Sequence, residues 1–378
     1  KSMKIEPFGV EMWMNEYETK CEYNLAETCV YSLSVSELLE TCGLPREKLD
    51  DILSLKLGYG AIEGSDKLRS AISALYENQA VENTIVTHGT IGANSLVHQS
   101  LLSRDDQIVA IVPSYQQHYS IPESVGARVD LLHLKAANNF LPDLAELKDL
   151  VTKDTKLIVL TNPNNPTGSL LNRAGLEEIT AIAKEVDAWV LCDEVYRGTD
   201  QAGAGMTCSI VDIYEKGIST AGMSKAFSLA GLRLGWVVGP VEMIRQVMIH
   251  RDYNTISVGV INDYLATLAL ENHQALLNRS KLITRRNLEI LATWVDNEQS
   301  IDWVRPSSGT TTLLKYDLEM SSRDFCIELL EETGVMFTPG SAMGMEGYVR
   351  IGYANPTEVL QKGLKLVSEF LLDRMPRA

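Results

Sequence analysis

Lys225 is set among small residues in Ala221-Gly222-Met223-Ser224-Lys225-Ala226, and Arg233 follows between Gly231 and Gly235. A lysine amine that can lose its proton forms Schiff bases with carbonyl compounds, pyridoxal phosphate among them. A guanidinium offers a fixed planar fork for a phosphate. Small neighbours leave room for a bulky group to approach the amine. The pair predicts a pyridoxal phosphate joined covalently to Lys225; the plainer alternative is a surface lysine at a strand end.

Three polar clusters lie upstream. His88-Gly89-Thr90-Ile91-Gly92 is a glycine-punctuated turn that opens a helix, where free N–H groups and the helix dipole make a cradle for an anion. Asn162-Pro163-Asn164-Asn165-Pro166-Thr167-Gly168 forms a rigid irregular loop, with Asn165 placed to donate to a phenolate-like oxygen. Asp193-Glu194-Val195-Tyr196 follows an apolar run. A carboxylate there is costly unless paired. Asp193 is expected to pair with a protonated pyridine nitrogen, with a helix cap as the alternative, and Tyr196 to reach the ring hydroxyl.

These clusters need a scaffold that brings them together. Apolar runs at Thr84–Thr87, Gln107–Val112, Arg128–Leu134, Leu157–Thr161, Trp189–Cys192, Gly217–Ala221 and Leu234–Val238 alternate with amphipathic segments such as Gly92–Leu102 and Gly175–Val186. That order predicts an α/β fold with a mainly parallel sheet between helices. Ligands of such sheets sit beyond the C-terminal strand ends, where each polar cluster begins. The expected large domain spans 46–254, and Ser65 is expected to cap its first helix. A smaller α+β domain is expected from 1–45, a partly helical arm with Phe8, Met12, Trp13 and Tyr17 on one face, together with 255–378. Its last helix is expected to be capped by Thr357. Tyr23 to Cys29 reads as extended.

Composition narrows the partners. The formal net charge of −16 argues against nucleic acid or an anionic membrane. Six scattered cysteines without metal-ligand spacing suit neither zinc nor a disulfide framework and point to a reduced, cytoplasmic setting. Glu6, Glu11 and Glu16 near the start are unlike a signal peptide.

Asn-Pro-x-Asn-Pro-Thr-Gly from Asn162, Asp-Glu-x-Tyr from Asp193 and the run Ser224 to Trp236 occur together, in one order. On these motifs the chain resembles fold type I pyridoxal-phosphate enzymes of the class I/II aminotransferase family, as in aspartate aminotransferases, over essentially its whole length. The resemblance implies a transaminase working by a ping-pong mechanism on an L-amino acid and a 2-oxo acid. It implies Lys225 as Schiff-base lysine and proton carrier, Asp193 on the ring nitrogen, and Asn165 and Tyr196 on the ring hydroxyl. Gly89, Thr90, Ser224 and Arg233 would hold the phosphate. Tyr115 would stack on the ring, unless it is an ordinary core aromatic. Tyr59 would reach the phosphate of a second subunit, making a homodimer. Arg350 would grip the substrate carboxylate, with Asn165 and Thr28 beside it; the alternative for Arg350 is a structural ion pair.

Two departures stand out against that pattern. Gly222 replaces a frequent serine, which removes one phosphate hydroxyl. Asn24-Leu25-Ala26-Glu27-Thr28-Cys29 replaces a glycine-rich pocket floor, and Glu27 there suits a cationic substrate. The rival reactions share the early steps: β-elimination from a cysteine-type substrate, or a cyclisation of the kind capreomycidine synthases perform.

Overall fold

The computed structural model describes residues 4–375. Thirteen strands are found among them: β1 (Tyr23–Asn24), β2 (Thr84–Thr87), β3 (Gln107–Val112), β4 (Arg128–His133), β5 (Thr155–Thr161), β6 (Trp189–Asp193), β7 (Gly217–Gly222), β8 (Gly235–Val238), β9 (Ile301–Trp303), β10 (Thr311–Tyr316), β11 (Val335–Met336), β12 (Thr338–Pro339) and β13 (Tyr348–Gly352).

The main sheet runs β2-β8-β7-β6-β5-β3-β4. Only β8 runs against its neighbours β2 and β7; the remaining pairs are parallel. Alternate residues of its strands serve two cores, as the two-residue strand period requires. Ile108, Ala110, Leu157, Val159, Leu191, Ile218 and Val237 pack beneath the helices Gly89–Leu101 and Val241–Asp252. Val109, Ile111, Ile158, Leu160, Val190 and Cys192 pack against the helix Arg173–Glu185. A sheet covered on both faces leaves only its strand ends open, and the register sets Thr161 opposite Asp193 and Asp193 opposite Thr220.

A second, antiparallel sheet has the order β12-β13-β10-β9, and β1 pairs in parallel with β11. Its core gathers Phe325, Phe337, Val349, Ile351, Leu360, Leu364, Val367 and Leu371. Trp13, Leu25 and Ala26 of the N-terminal arm belong to the same core. Elsewhere packing crosses the expected boundaries. Leu38 on one side and Val258 to Leu277 on the other join Leu68, Ile72 and Trp236 in one cluster.

Three local expectations change. The last helix, Thr357–Leu372, has no side-chain cap; Thr357 is its first residue and donates to Asn287 Oδ1 at 2.9 Å. In the helix Gly9–Tyr17, Met12 is exposed while Val10 and Trp13 are buried. The extended reading of Tyr23 to Cys29 holds only for β1. Beyond it the Ala26 N–H turns back to Asn24 Oδ1 at 3.0 Å, the Asx turn that a short amide side chain supports. Ser65 caps as expected, accepting from Leu68 N.

Candidate active site

Lys225 follows β7 and lines a cavity of about 290 Å³. Asp193, Tyr196, Asn165, Thr90, Ser224, Arg233, Tyr115, Thr28 and Arg350 line it too. The Lys225 Nζ donates to Thr28 Oγ1 at 2.5 Å and lies 3.7 Å from Cys29 Sγ. Burial opposes the charge on Lys225, but Cys29, Tyr196 and Glu27 outweigh it and raise its pKa above the ordinary value. The ligand-free amine is therefore an ammonium. Burial chiefly pushes the Cys29 thiol beside it up to about 11.

Asp193 ends β6 with 4% of its surface exposed. Its Oδ2 accepts from Asn94 Nδ2 at 2.9 Å and from His118 Nε2 at 3.1 Å. Asn94 is itself held by Thr220 Oγ1, which donates to its Oδ1 at 2.6 Å. The carboxylate is thus aimed from below by groups on three elements. No cation of the chain other than a protonated His118 lies within ion-pair distance among the described residues, so a cationic ligand is welcome.

Beside the start of the helix Gly89–Leu101 the backbone is forced into unusual shapes. Gly89 has φ +68°, and a side chain there would meet the Arg233 guanidinium at 2.8 Å. Arg233 itself is left-handed at φ +48°, a conformation non-glycine residues adopt rarely and at functional sites. Its Nη1 donates to Ala230 O at 2.9 Å and lies 3.4 Å from Ser224 Oγ. A Cβ on Gly222 would come within 2.5 Å of Thr90 Oγ1. Thr90 thus sets a hydroxyl in the space that a side chain at 222 would fill.

On the opposite side Arg350 sits on β13, 2% exposed. Its Nη1 donates to Asn165 Oδ1 and its Nη2 to Thr338 Oγ1, each at 3.3 Å. It has no ion-pair partner among the described residues, so the structural-ion-pair alternative is not what the fold shows. The segment carrying Glu27 and Thr28 lies directly over the end of β13. Gly352 N donates to Leu25 O at 2.7 Å, and any Cβ on Gly352 would collide with the Glu27 carbonyl. The Glu27 Oε1 accepts from the N–H groups of Thr28 and Cys29 at 2.9 Å. Burial alone would raise its pKa, but Lys225 and those N–H groups outweigh burial and lower it.

Tyr115 donates to Glu11 Oε1 at 2.6 Å and packs on Phe8, with ring centroids 4.7 Å apart. Its ring borders the cavity while its hydroxyl is tied to the arm. Tyr59 is 72% exposed and lies outside the cavity of its own chain. Sequence reasoning missed Asn94, His118, Glu11 and Glu18. A signal existed for Asn94, a polar residue one turn beyond Thr90 in a mostly apolar buried helix.

Among the described residues, the polar atoms around this cavity that are buried without a partner include Tyr196 Oη, Thr90 Oγ1 and Arg350 Nε. Buried polar groups demand partners, and these suit a ring hydroxyl, a phosphate and a carboxylate in turn. Lys225 and Asp193 supply an amine and an anion for the remaining features of pyridoxal phosphate, so the residues fit that group.

The model of aminotransferase class I and II matches residues 51–365. Capreomycidine synthase from Streptomyces vinaceus is 27% identical over 96% of this chain and 93% of its own. Aspartate aminotransferase from Pyrococcus horikoshii is 31% identical over 82% of this chain and 81% of its own. A solved PLP-dependent aminotransferase from Streptococcus suis superposes with a TM-score of 0.96 at 39% identity, covering 100% of both chains. Site and scaffold agree with these likenesses: the chain belongs to the class I and II aminotransferase family, with pyridoxal 5'-phosphate as its cofactor.

Proposed function

We propose that the protein transfers the amino group of an L-amino acid to a 2-oxo acid in two half-reactions. The observation that carries this reading is that Lys225, Asp193 and Arg350 line one cavity from three different elements. Bound there, pyridoxal phosphate supplies a sink for the electron pair left at the substrate α-carbon. Arg350 binds the substrate carboxylate in a two-pronged contact, and its Asn165 and Thr338 partners fix the plane of the guanidinium. Lys225, neutral at that stage, takes the α-proton as general base and returns it as general acid. Thr28 holds its Nζ on the substrate side. Asn94 and His118 donate to the Asp193 carboxylate and aim it, so that it would favour a positive charge on the ring nitrogen opposite. Tyr196 and the Asn165 amide would hold the ring oxygen, Tyr115 the ring face, and Gly89, Thr90, Ser224 and Arg233 the phosphate.

The exposed Tyr59 supports a homodimer in which it completes the neighbouring site. The division into a large unit at 46–254 and a smaller one at 1–45 and 255–378 is part of the same reading. Free cysteines throughout the described residues support a reduced cytoplasmic location, and no helix of these residues is long and apolar enough to cross a membrane.

The likeness to capreomycidine synthase over nearly the whole chain favours a second reading, in which the same α-proton abstraction leads to elimination or ring closure. Cofactor-loaded protein mixed with each amino acid, with and without a 2-oxo acid, separates the two. Stoichiometric amino transfer to the 2-oxo acid supports the first reading. Product formed over many turnovers, beyond one equivalent per bound cofactor, with no acceptor present sinks it and supports the second.

A further inference from the structure

Three carboxylates share the active cavity with the substrate end of the site. Glu11 comes from the helix Gly9–Tyr17, Glu18 from the short helix Glu18–Lys20, and Glu27 from the turn over β13. Among the described residues none has a cationic partner within 4 Å, whereas Glu16 of the same arm pairs with Arg323 at 3.8 Å. They feel one another: burial first, then Glu27 and Glu11, raise the Glu18 pKa. The cavity is a ligand site on independent grounds, because Tyr196 Oη and Arg350 Nε are buried in it without partners.

The three cations lining the cavity are Lys225, Arg233 and Arg350. Under the reading proposed above, on which this inference rests, each is committed: Arg233 to a phosphate, Arg350 to the substrate carboxylate, Lys225 to a covalent bond that removes its ammonium charge. Glu27 then keeps its two backbone N–H donors and faces no uncommitted cation among the described residues. The arm is left with surplus negative charge facing the position of the substrate side chain.

We propose that the site selects an amino acid whose side chain ends in a cation, a guanidinium or an ammonium, received by Glu11, Glu18 and Glu27. A charge-assisted contact to a partly desolvated carboxylate supplies both affinity and orientation. The same wall repels a side-chain carboxylate, so dicarboxylic amino acids and dicarboxylic 2-oxo acids are poor ligands despite the likeness to aspartate aminotransferases.

The test is equilibrium binding to cofactor-loaded protein, read from the cofactor absorbance and by calorimetry. L-Arginine is compared with L-citrulline, its neutral near-isostere, and with L-norleucine and L-glutamate. The expected result is arginine bound at least about tenfold more tightly than citrulline, with glutamate weakest. In Glu18→Gln the preference shrinks; that exposed side chain makes no hydrogen bond the fold needs, so the variant folds even if Glu27→Gln does not. Equal affinity for arginine and citrulline, with the absorbance moving for both, overturns this inference and leaves the amino-acid reading intact. An absorbance that no amino acid moves overturns both.

Discussion

His118 stands behind Asp193 with its Nε2 3.1 Å from the Asp193 Oδ2, and its Nδ1 lies 3.2 Å from Nε2 of His98. A carboxylate only accepts, so His118 Nε2 donates. His98 is fully buried, and burial first and His118 second push its pKa well below the ordinary value. A neutral His98 donating to His118 completes a chain of hydrogen bonds that aims Asp193.

His118→Phe removes one of the two side-chain donors to Asp193. A hydrogen bond to a charged group contributes roughly 1.5–3 kcal/mol, so kcat/KM is expected to fall about ten- to a hundredfold. His118→Gln, which can still donate, should recover part of the loss. The pH profile of kcat/KM is the discriminating measurement: an unchanged profile and rate in His118→Phe would reduce His118 to packing.

Gly222 and Thr90 occupy complementary space. Gly222→Ser places a Cβ within 2.5 Å of Thr90 Oγ1, and overpacking of this kind costs about 1–3 kcal/mol. The cofactor should then dissociate about tenfold more readily, measured as the absorbance retained on dialysis. Tighter retention would mean that the added hydroxyl compensates, and that Thr90 does not fill its role.

Glu194 is 1% exposed, and its carboxylate accepts from Ser209 Oγ at 2.6 Å, Ser219 Oγ at 2.5 Å and Ile210 N at 2.9 Å. Burial outweighs Arg197 and these bonds and raises its pKa. The folded chain therefore holds this proton more tightly than the unfolded chain. The group's contribution to stability is full below the ordinary carboxyl pKa and declines as pH rises through the raised value. Thermal melts of wild type and Glu194→Gln, taken from about pH 4 to about pH 7, should show the wild type losing ground to the variant. A constant difference would refute the assignment.

Tyr59 and Lys225 test the shared site directly. Tyr59→Phe and Lys225→Ala should each be weak alone, the second by at least about a thousandfold if Lys225 carries the proton. Mixed and allowed to exchange subunits, they form hybrids in which one site has both residues intact. Recovered activity is the expected outcome. Its absence, with exchange shown by mass spectrometry, would rule out the crossing of Tyr59.

What could be read from the residues follows the layout of the chain. Asp193, Asn165 and Lys225 each lie at or just beyond a strand end, so chemistry and scaffold are adjacent in sequence. Asn94 and His118 serve Asp193 from helices 99 and 75 positions away, and no local pattern links them to it. Glu11 meets Tyr115 across 104 positions, so the arm's role over the cavity emerges only on folding. Met12 and Trp13 share a face in the sequence pattern, but a short helix buries only one of two adjacent positions, and the larger Trp13 is the one inside. Thr357 follows a proline that already sets the helix start, which frees its hydroxyl for Asn287.

The close stacking of Glu27 on Gly352 has a mechanical consequence. Arg350 and the Glu27 turn are fastened to the same strand end, so a displacement of β13 is felt by both. Under the proposed reading, the contact to the substrate's carboxylate and the contact to its far end are therefore coupled. On that reading the pair would act as a gauge of substrate length, and a change of preference would be written in the arm rather than in the sheet.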